Sequence, residues 1–136
     1  MLLFENSIIK IDYNPATDIL TVKYPDLHGY LLPEIKHSID ILVNNVRNYN
    51  VKYVLLDSTN TVVSVTPQES SEIATYMATG LATTRIQKVA RLQSLDITVE
   101  TRAKENIQKV FKSTPPPFRL KNFSNKADAT TWLISE

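Results

Sequence analysis

The 136-residue chain is 43% hydrophobic and 21% charged with a formal net charge of +1, ordinary values for one globular domain long enough to bury a core. That near-zero balance leaves no electrostatic footprint for nucleic acid or an anionic membrane surface. Cysteine is absent, which removes disulfides, thiolate metal ligands and thiol catalysis and fits a reducing compartment.

The start, MLLFENSIIKID, offers only a few apolar residues before Glu5 and Asn6. A secretory leader needs a basic region and roughly 7–15 apolar residues. No run approaches the ~20 apolar residues of a membrane span. The expectation is one cytoplasmic domain over residues 1–136 without membrane insertion, in which the sequon Asn122–Ser124 carries no meaning.

Two alternating runs open the chain. Ile9, Ile11 and Tyr13 share one face of the first, and Leu20, Val22 and Tyr24 share one face of the second. Between them NPATD supplies turn chemistry, so the pair reads as an antiparallel hairpin with one buried face. In LPEIKHSIDILVNNVRNYN, Pro33 and Glu34 suit a first helical turn. Ile35, Ile39, Leu42, Val46 and Tyr49 then recur at steps of four and three, an amphipathic helix.

KYVLLD follows, a short apolar run with the look of a strand buried on both faces. TPQESSEIATYMATGLATT is a second helix with Ile73, Met77 and Leu81 on one face beside Ala74, Ala78 and Ala82. RIQKVARLQS is a weaker strand. ITVETRAKENIQKVFK is a third helix expected to bury Ala103, Ile107, Val110 and Phe111. The prolines of STPPPF end it and read as a stiff loop. FRLKNF is a short edge strand, and SNKADATTWLIS a closing helix capped by Ser124 or Asn125, with Trp132 and Leu133 inward.

The order β-β-α-β-α-β-α-β-α predicts an α/β domain. Its sheet is mixed and mostly parallel, of about five strands, with an N-terminal antiparallel hairpin and helices packed on it.

In such sheets ligands sit outside the carboxyl ends of parallel strands. That rule points to Asp57, Ser58 and Thr59, to Gln93 and Ser94, and to the loop from Asn60 to Val65. Asp57 at a strand end resembles the phosphoacceptor of receiver domains, but the acidic pair such domains need after their first strand is missing. Its simpler role is to accept amides of its own turn. With two glycines, Gly29 and Gly80, the chain has no nucleophile elbow, P-loop or dinucleotide fingerprint. His28 and His37 have no carboxylate cluster at ligand spacing, so no metal site and no cofactor are expected. Lys88, Arg91, Arg102, Lys104 and Lys109 are interspersed with polar residues and read as a solvated face.

SVTPQESSEI, Ser64 to Ile73, contains a capping box. The Thr66 oxygen takes the amide of Glu69, the glutamate reaches back, and Pro67 occupies the first helical position. A helix start also tolerates phosphate well. The hydroxyls there, Thr66, Ser64, Ser70 and Ser71, are therefore candidates for phosphorylation or partner contact.

The element order, with YVLLDST feeding a loop and then a helix, resembles the STAS domains of anti-sigma factor antagonists. It is especially similar to short SpoIIAA-like bacterial proteins that also end in an A..WL helix like ADATTWL. The resemblance covers nearly the whole chain and is one of layout. It implies a non-enzymatic signalling module whose regulatory serine, counted from Asp57 without gaps, falls on Thr66. Val65 stands where that motif has an acid, and Pro67 and Gln68 where it has small residues and glycine. The partner implied is a protein, a kinase-type anti-sigma factor or a second copy in a homodimer among the forms it could take. The alternative function is binding of a small apolar ligand or lipid between sheet and helices, where Ala74 and Ala78 could leave space.

Overall fold

The structure, a computed structural model, describes residues 1–23, 26–28, 32–59, 62–113 and 115–135, with the backbone alone for 26–28 and 62–64. The first half runs β1 (Leu2–Glu5), β2 (Lys10–Asn14), β3 (Ile19–Lys23), β4 (Asp26–His28), α1 (Leu32–Asn48), β5 (Tyr53–Asp57) and β6 (Val62–Ser64). The second half runs α2 (Pro67–Ala82), β7 (Lys88–Leu92), α3 (Ile97–Ser113), β8 (Arg119–Phe123) and α4 (Lys126–Ile134).

The hairpin of β2 and β3 forms as the alternation demands, in register from Asn14 with Ile19 to Lys10 with Lys23. Ile11 and Tyr13 meet Val22 and Leu20 across it, and all four are buried. The turn is closed by the Asn14 side chain accepting the Ala16 amide at 3.0 Å and by Asp18 at φ 58°. Aspartate tolerates that left-handed backbone better than most residues. Its carboxylate takes the Tyr13 hydroxyl at 2.7 Å, and burial together with this bond pushes the phenol up to about 12.

From β3 onward the strands pair in parallel, giving a six-stranded sheet in the order β1-β2-β3-β5-β7-β8. This is the expected mixed, mostly parallel sheet with one strand more than the roughly five foreseen. The addition is β1, which joins the edge of β2 antiparallel with an irregularity between Leu2 and Phe4. Four residues without alternation leave no period to detect. A separate pair, β4 with β6, also went unforeseen. His28 lies in β4 and not at the end of the hairpin, its side chain outside the described residues, as is the Asn60–Thr61 part of the strand-end loop.

Side-chain alternation divides the core in two. On one face Ile11, Leu20, Val22, Val54 and Val89 point toward the helices. Ile35, Ile39, Leu42 and Val46 of α1 and Ile73 and Leu81 of α2 meet them. On the other face Ile19, Leu55, Ala90 and Leu92 take Ala129 and Leu133 of α4, while Trp132 is half-buried with its ring 5.6 Å from Phe123. Helix α1 packs on α2, and α2 on α3.

One helix end departs from expectation, at α1, and one meets it, at α4. Tyr49, placed on the buried stripe of α1, is 44% exposed and sets its ring 5.6 Å from that of Tyr13, tilted by 45°. The chain has already left the helix there, with Asn50 at φ 54°. Val51 N–H bonds the Val46 carbonyl and Asn50 N–H that of Arg47, the Schellman pattern with its apolar Val46–Val51 partners. Helix α4 is capped by Asn125, whose side chain accepts the Asp128 amide at 2.8 Å.

The basic residues read as a solvated face do not form one. Lys104 and Lys109 are exposed and Arg102 half-buried, but Lys88 and Arg91 are 3% and 7% exposed. Lys88 Nζ reaches the carbonyls of Trp132 at 2.8 Å and Ser135 at 2.5 Å, a cation at the negative end of α4. Desolvation, then the nearby Arg119, lower its pKa.

Helices α1 and α2 approach closely at Gly80, where an added Cβ would stand 2.8 Å from Val43 Cγ2. Alanine would gain about 1 kcal/mol of helix propensity, but the stiff valine cannot swing away and overpacking costs about 1–3 kcal/mol. Gly80→Ala should therefore lower stability in urea unfolding by roughly 1 kcal/mol. Adding Val43→Ala should recover part of the propensity gain, and a single variant more stable than the parent would contradict this packing.

Candidate functional site

The capping box forms as its sequence predicts. Thr66 Oγ1 accepts the Glu69 amide at 3.1 Å, and Glu69 Oε1 accepts the Thr66 amide at 2.9 Å. Thr66, Pro67 and Gln68 are exposed, so the tip of α2 faces solvent. Ser71 is half-buried on the α1 side, in a groove that also touches Lys36 and Glu72. Ser70 points the other way, its Oγ accepting from Asn106 Nδ2 at 2.9 Å. Ser64 lies at the end of β6, its side chain outside the described residues.

The strand-end residues are turned to internal fastening. Asp57 is half-buried, and its carboxylate accepts the amide of Thr59 at 3.0 Å. Ser58 is buried and donates its amide to Leu92 O at 3.4 Å, while Thr59 O accepts from Leu95 N at 3.2 Å. Gln93 N–H goes to Phe123 O. These bonds tie the ends of β5, β7 and β8 together. His37 is exposed on α1. Among the described residues no group of three or more His, Asp or Glu could hold a metal, and no helix is long and apolar enough to cross a membrane.

A second, more apolar feature lies one layer down. A cavity of about 180 Å³ sits between the sheet and helices α1, α2 and α3. Ile73, Ala74, Met77 and Ala78 of α2 line one wall. Val99, Ala103, Ile107, Val110 and Phe111 of α3 form another, and Leu56, Val89, Phe118 and Leu120 lie across from them. The four α3 residues expected to be buried, Ala103, Ile107, Val110 and Phe111, are only half-buried because this space, not packed side chains, faces them. Ser58 and Ser70 from the candidate loops also reach the wall. Thr66, Ser71, Asp57 and Thr59 do not line it.

Arg91, Arg102, Asn106, Ser70 and Ser38 of the lining each hold a hydrogen-bond partner. Arg91, on the helix-covered face of β7, gives Nη1 to Glu100 Oε2 at 2.7 Å and Nη2 to Oε1 at 2.9 Å, and touches Asn122 Oδ1 at 3.3 Å. Glu100 Oε1 also takes the Ser94 amide at 2.7 Å. Burial alone would push the Glu100 carboxyl up. The bonds from Arg91 and Ser94, with the charges of Arg91 and Lys104, outweigh it and hold the pKa below the usual value. Arg102 Nη1 donates to the Val65 carbonyl at 3.1 Å, and Asn6 Nδ2 to Ser38 Oγ at 3.1 Å.

The sequence reading found the α2 half of the cavity and missed the α3 half. A readable signal existed: Glu100, Ala103, Ile107 and Val110 share one helical face, so an acid lies on the apolar stripe. Arg91 stands two residues from Val89 on the same strand face. An inward cation and an inward acid nine residues apart announce a buried pair.

With a mixed sheet, helices on both faces and this connectivity, the protein is an α/β domain of the SpoIIAA-like, STAS-like fold. It is similar to a crystal structure of an uncharacterized protein of the DUF3478 family, with a SpoIIAA-like fold, from Shewanella loihica PV-4. It superposes with a TM-score of 0.54 at 16% identity, over 98% of this chain and 99% of that one. No protein-family model and no curated protein matches the chain.

Removing the carboxylate from the buried pair leaves Arg91 uncompensated, a loss of about 3 kcal/mol. Glu100→Gln should show that loss in urea unfolding at pH 7. Because the folded carboxyl titrates below its unfolded value near 4.3, its contribution is complete above that pH and disappears as pH falls through the folded value. The gap between parent and variant should stay constant down to about pH 5 and narrow below about pH 4. A gap independent of pH would show that the charge has no part in it.

Proposed function

We propose that this protein is a non-enzymatic binding protein that takes up a small apolar molecule between its sheet and helices α2 and α3. One observation carries the reading: the cavity of about 180 Å³, walled by aliphatic and aromatic side chains. An engineered apolar cavity of about 150 Å³ in another protein stays dry and binds benzene. An apolar void of this size forfeits dispersion contacts on every wall, and an apolar guest restores them. The alanines at 74 and 78 make the room, since larger residues at those positions would fill it.

Filling the cavity from its own wall tests this. Ala78→Phe should abolish binding of an apolar probe such as 1-anilinonaphthalene and leave thermal stability unchanged or higher. Native mass spectrometry of the parent should show a retained ligand. Parent protein that neither retains a ligand nor enhances probe fluorescence, or a filled variant that binds as the parent does, would defeat the proposal.

A second reading rests on the exposed tip of α2, where Thr66, Pro67 and Gln68 face solvent at the positive end of a helix dipole. In it the start of α2 and the strand-end loop form a contact edge for a regulatory protein, with Thr66 as the hydroxyl a partner kinase would modify. Thr66→Glu should change the set of proteins recovered from native lysate with the purified chain. Identical recovery with parent and variant, or no specific partner for either, would remove this reading.

A further inference from the structure

Only two charged residues line the cavity among those described, Arg91 and Arg102, and both are cations. They differ in one respect. Arg91 is neutralised by the bidentate grip of Glu100. Arg102 is half-buried and has no acidic partner among the described residues; its single bond is to the Val65 carbonyl, which occupies one of five guanidinium donors. Among the described residues, a positive charge without an acidic partner therefore stands in a wall built mostly of apolar groups.

Its surroundings add to the same sign. Val65 immediately precedes the cap of α2, so the guanidinium lies beside the positive end of that helix. One helical turn along α3, Asn106 is buried and donates to Ser70 Oγ, leaving the serine proton without an acceptor among the described residues. The bonds Arg102 to Val65 and Asn106 to Ser70 are successive rungs between α2 and α3. Both present donors, and no carboxylate lines the cavity among the described residues.

We infer that the cavity's ligand is an amphiphile with one anionic head, held by Arg102 and the Ser70 hydroxyl while its hydrocarbon part fills the space lined by Ile73, Met77, Ile107 and Phe118. This rests on the apolar-ligand reading and narrows it. A neutral hydrocarbon would leave the cation without a counter-charge, whereas a carboxylate or phosphate monoester supplies one in a partly desolvated site.

The test compares ligands of one chain length on the full chain: hexanoate, 1-hexanol and hexyl phosphate, by amide chemical-shift titration. Hexanoate or hexyl phosphate should bind roughly ten- to a hundredfold more tightly than 1-hexanol, the range of one charge-assisted contact. The tighter of the two anions tells a fatty-acid head from a phosphate ester. Arg102→Gln should remove the preference and keep the 1-hexanol affinity, which also reports an intact cavity. Arg102→Lys should retain part of it, and stands in should the glutamine variant not fold.

Equal binding of anion and alcohol by the parent, or a preference that survives in Arg102→Gln, overturns the head-group assignment and leaves the apolar-ligand reading standing. Failure of all three ligands to bind overturns both.

Discussion

A guanidinium inside the helix-covered layer of a sheet sets the constraint from which the rest follows. Arg91 projects from β7 on the same face as Val89, where an ion costs several kcal/mol to desolvate. The site is tolerable only with a carboxylate on its fork, and Glu100 in the first turn of α3 supplies it along with an acceptor for the Ser94 amide. The start of α3 is thereby pinned to the sheet through polar bonds. An ion pair holds two elements at the length of two side chains. It does not draw them together as interdigitated apolar residues would, and space opens along the helix beyond it.

The three helices of that face are consequently fastened unequally. Helix α1 is locked to α2 by the close approach of Val43 to Gly80, with Tyr76 hydroxyl on Asp40 at 2.6 Å, the Lys36–Glu72 pair and the Arg47–Thr83 bond along the outer surface. Exposed polar contacts of this kind are screened by solvent and contribute little; the packing at Gly80 sets the distance. Helix α3 meets α2 with the rungs from Arg102 and Asn106. Its apolar face is therefore free to serve as a wall.

The two-residue period of the hairpin and the 3.6-residue period of α1 were legible in the sequence because burial of one face enforces them, as Ile11, Leu20, Ile39 and Leu42 show. The cap of α2 was legible because Thr66 and Glu69 act only on neighbouring amides. What failed was information that is not local. Strand β1 forms because β2 offers an edge, and β4 pairs with β6 across more than thirty residues of intervening chain. The stripe Ala103, Ile107, Val110 has the same pattern whether it faces packed side chains or a cavity. Lys88 and Arg91 looked solvated because their partners, the end of α4 and Glu100, are brought to them by the fold.

The cavity and the exposed tip of α2 share a helix start, and their independence is a question of donors. Arg102 touches both, through the carbonyl of Val65 one residue before the Thr66 cap. Were that carbonyl its only outlet, an occupant of the cavity would compete with the loop and the two surfaces would exclude one another. A guanidinium has five N–H groups in a planar fork, so one edge can keep Val65 while another faces the cavity. The cap bonds of Thr66 and Glu69 are made without Arg102 at all. Occupation of the cavity therefore does not require the tip of α2 to come apart, and a protein seated on Thr66 need not open the path to Ile73 and Met77.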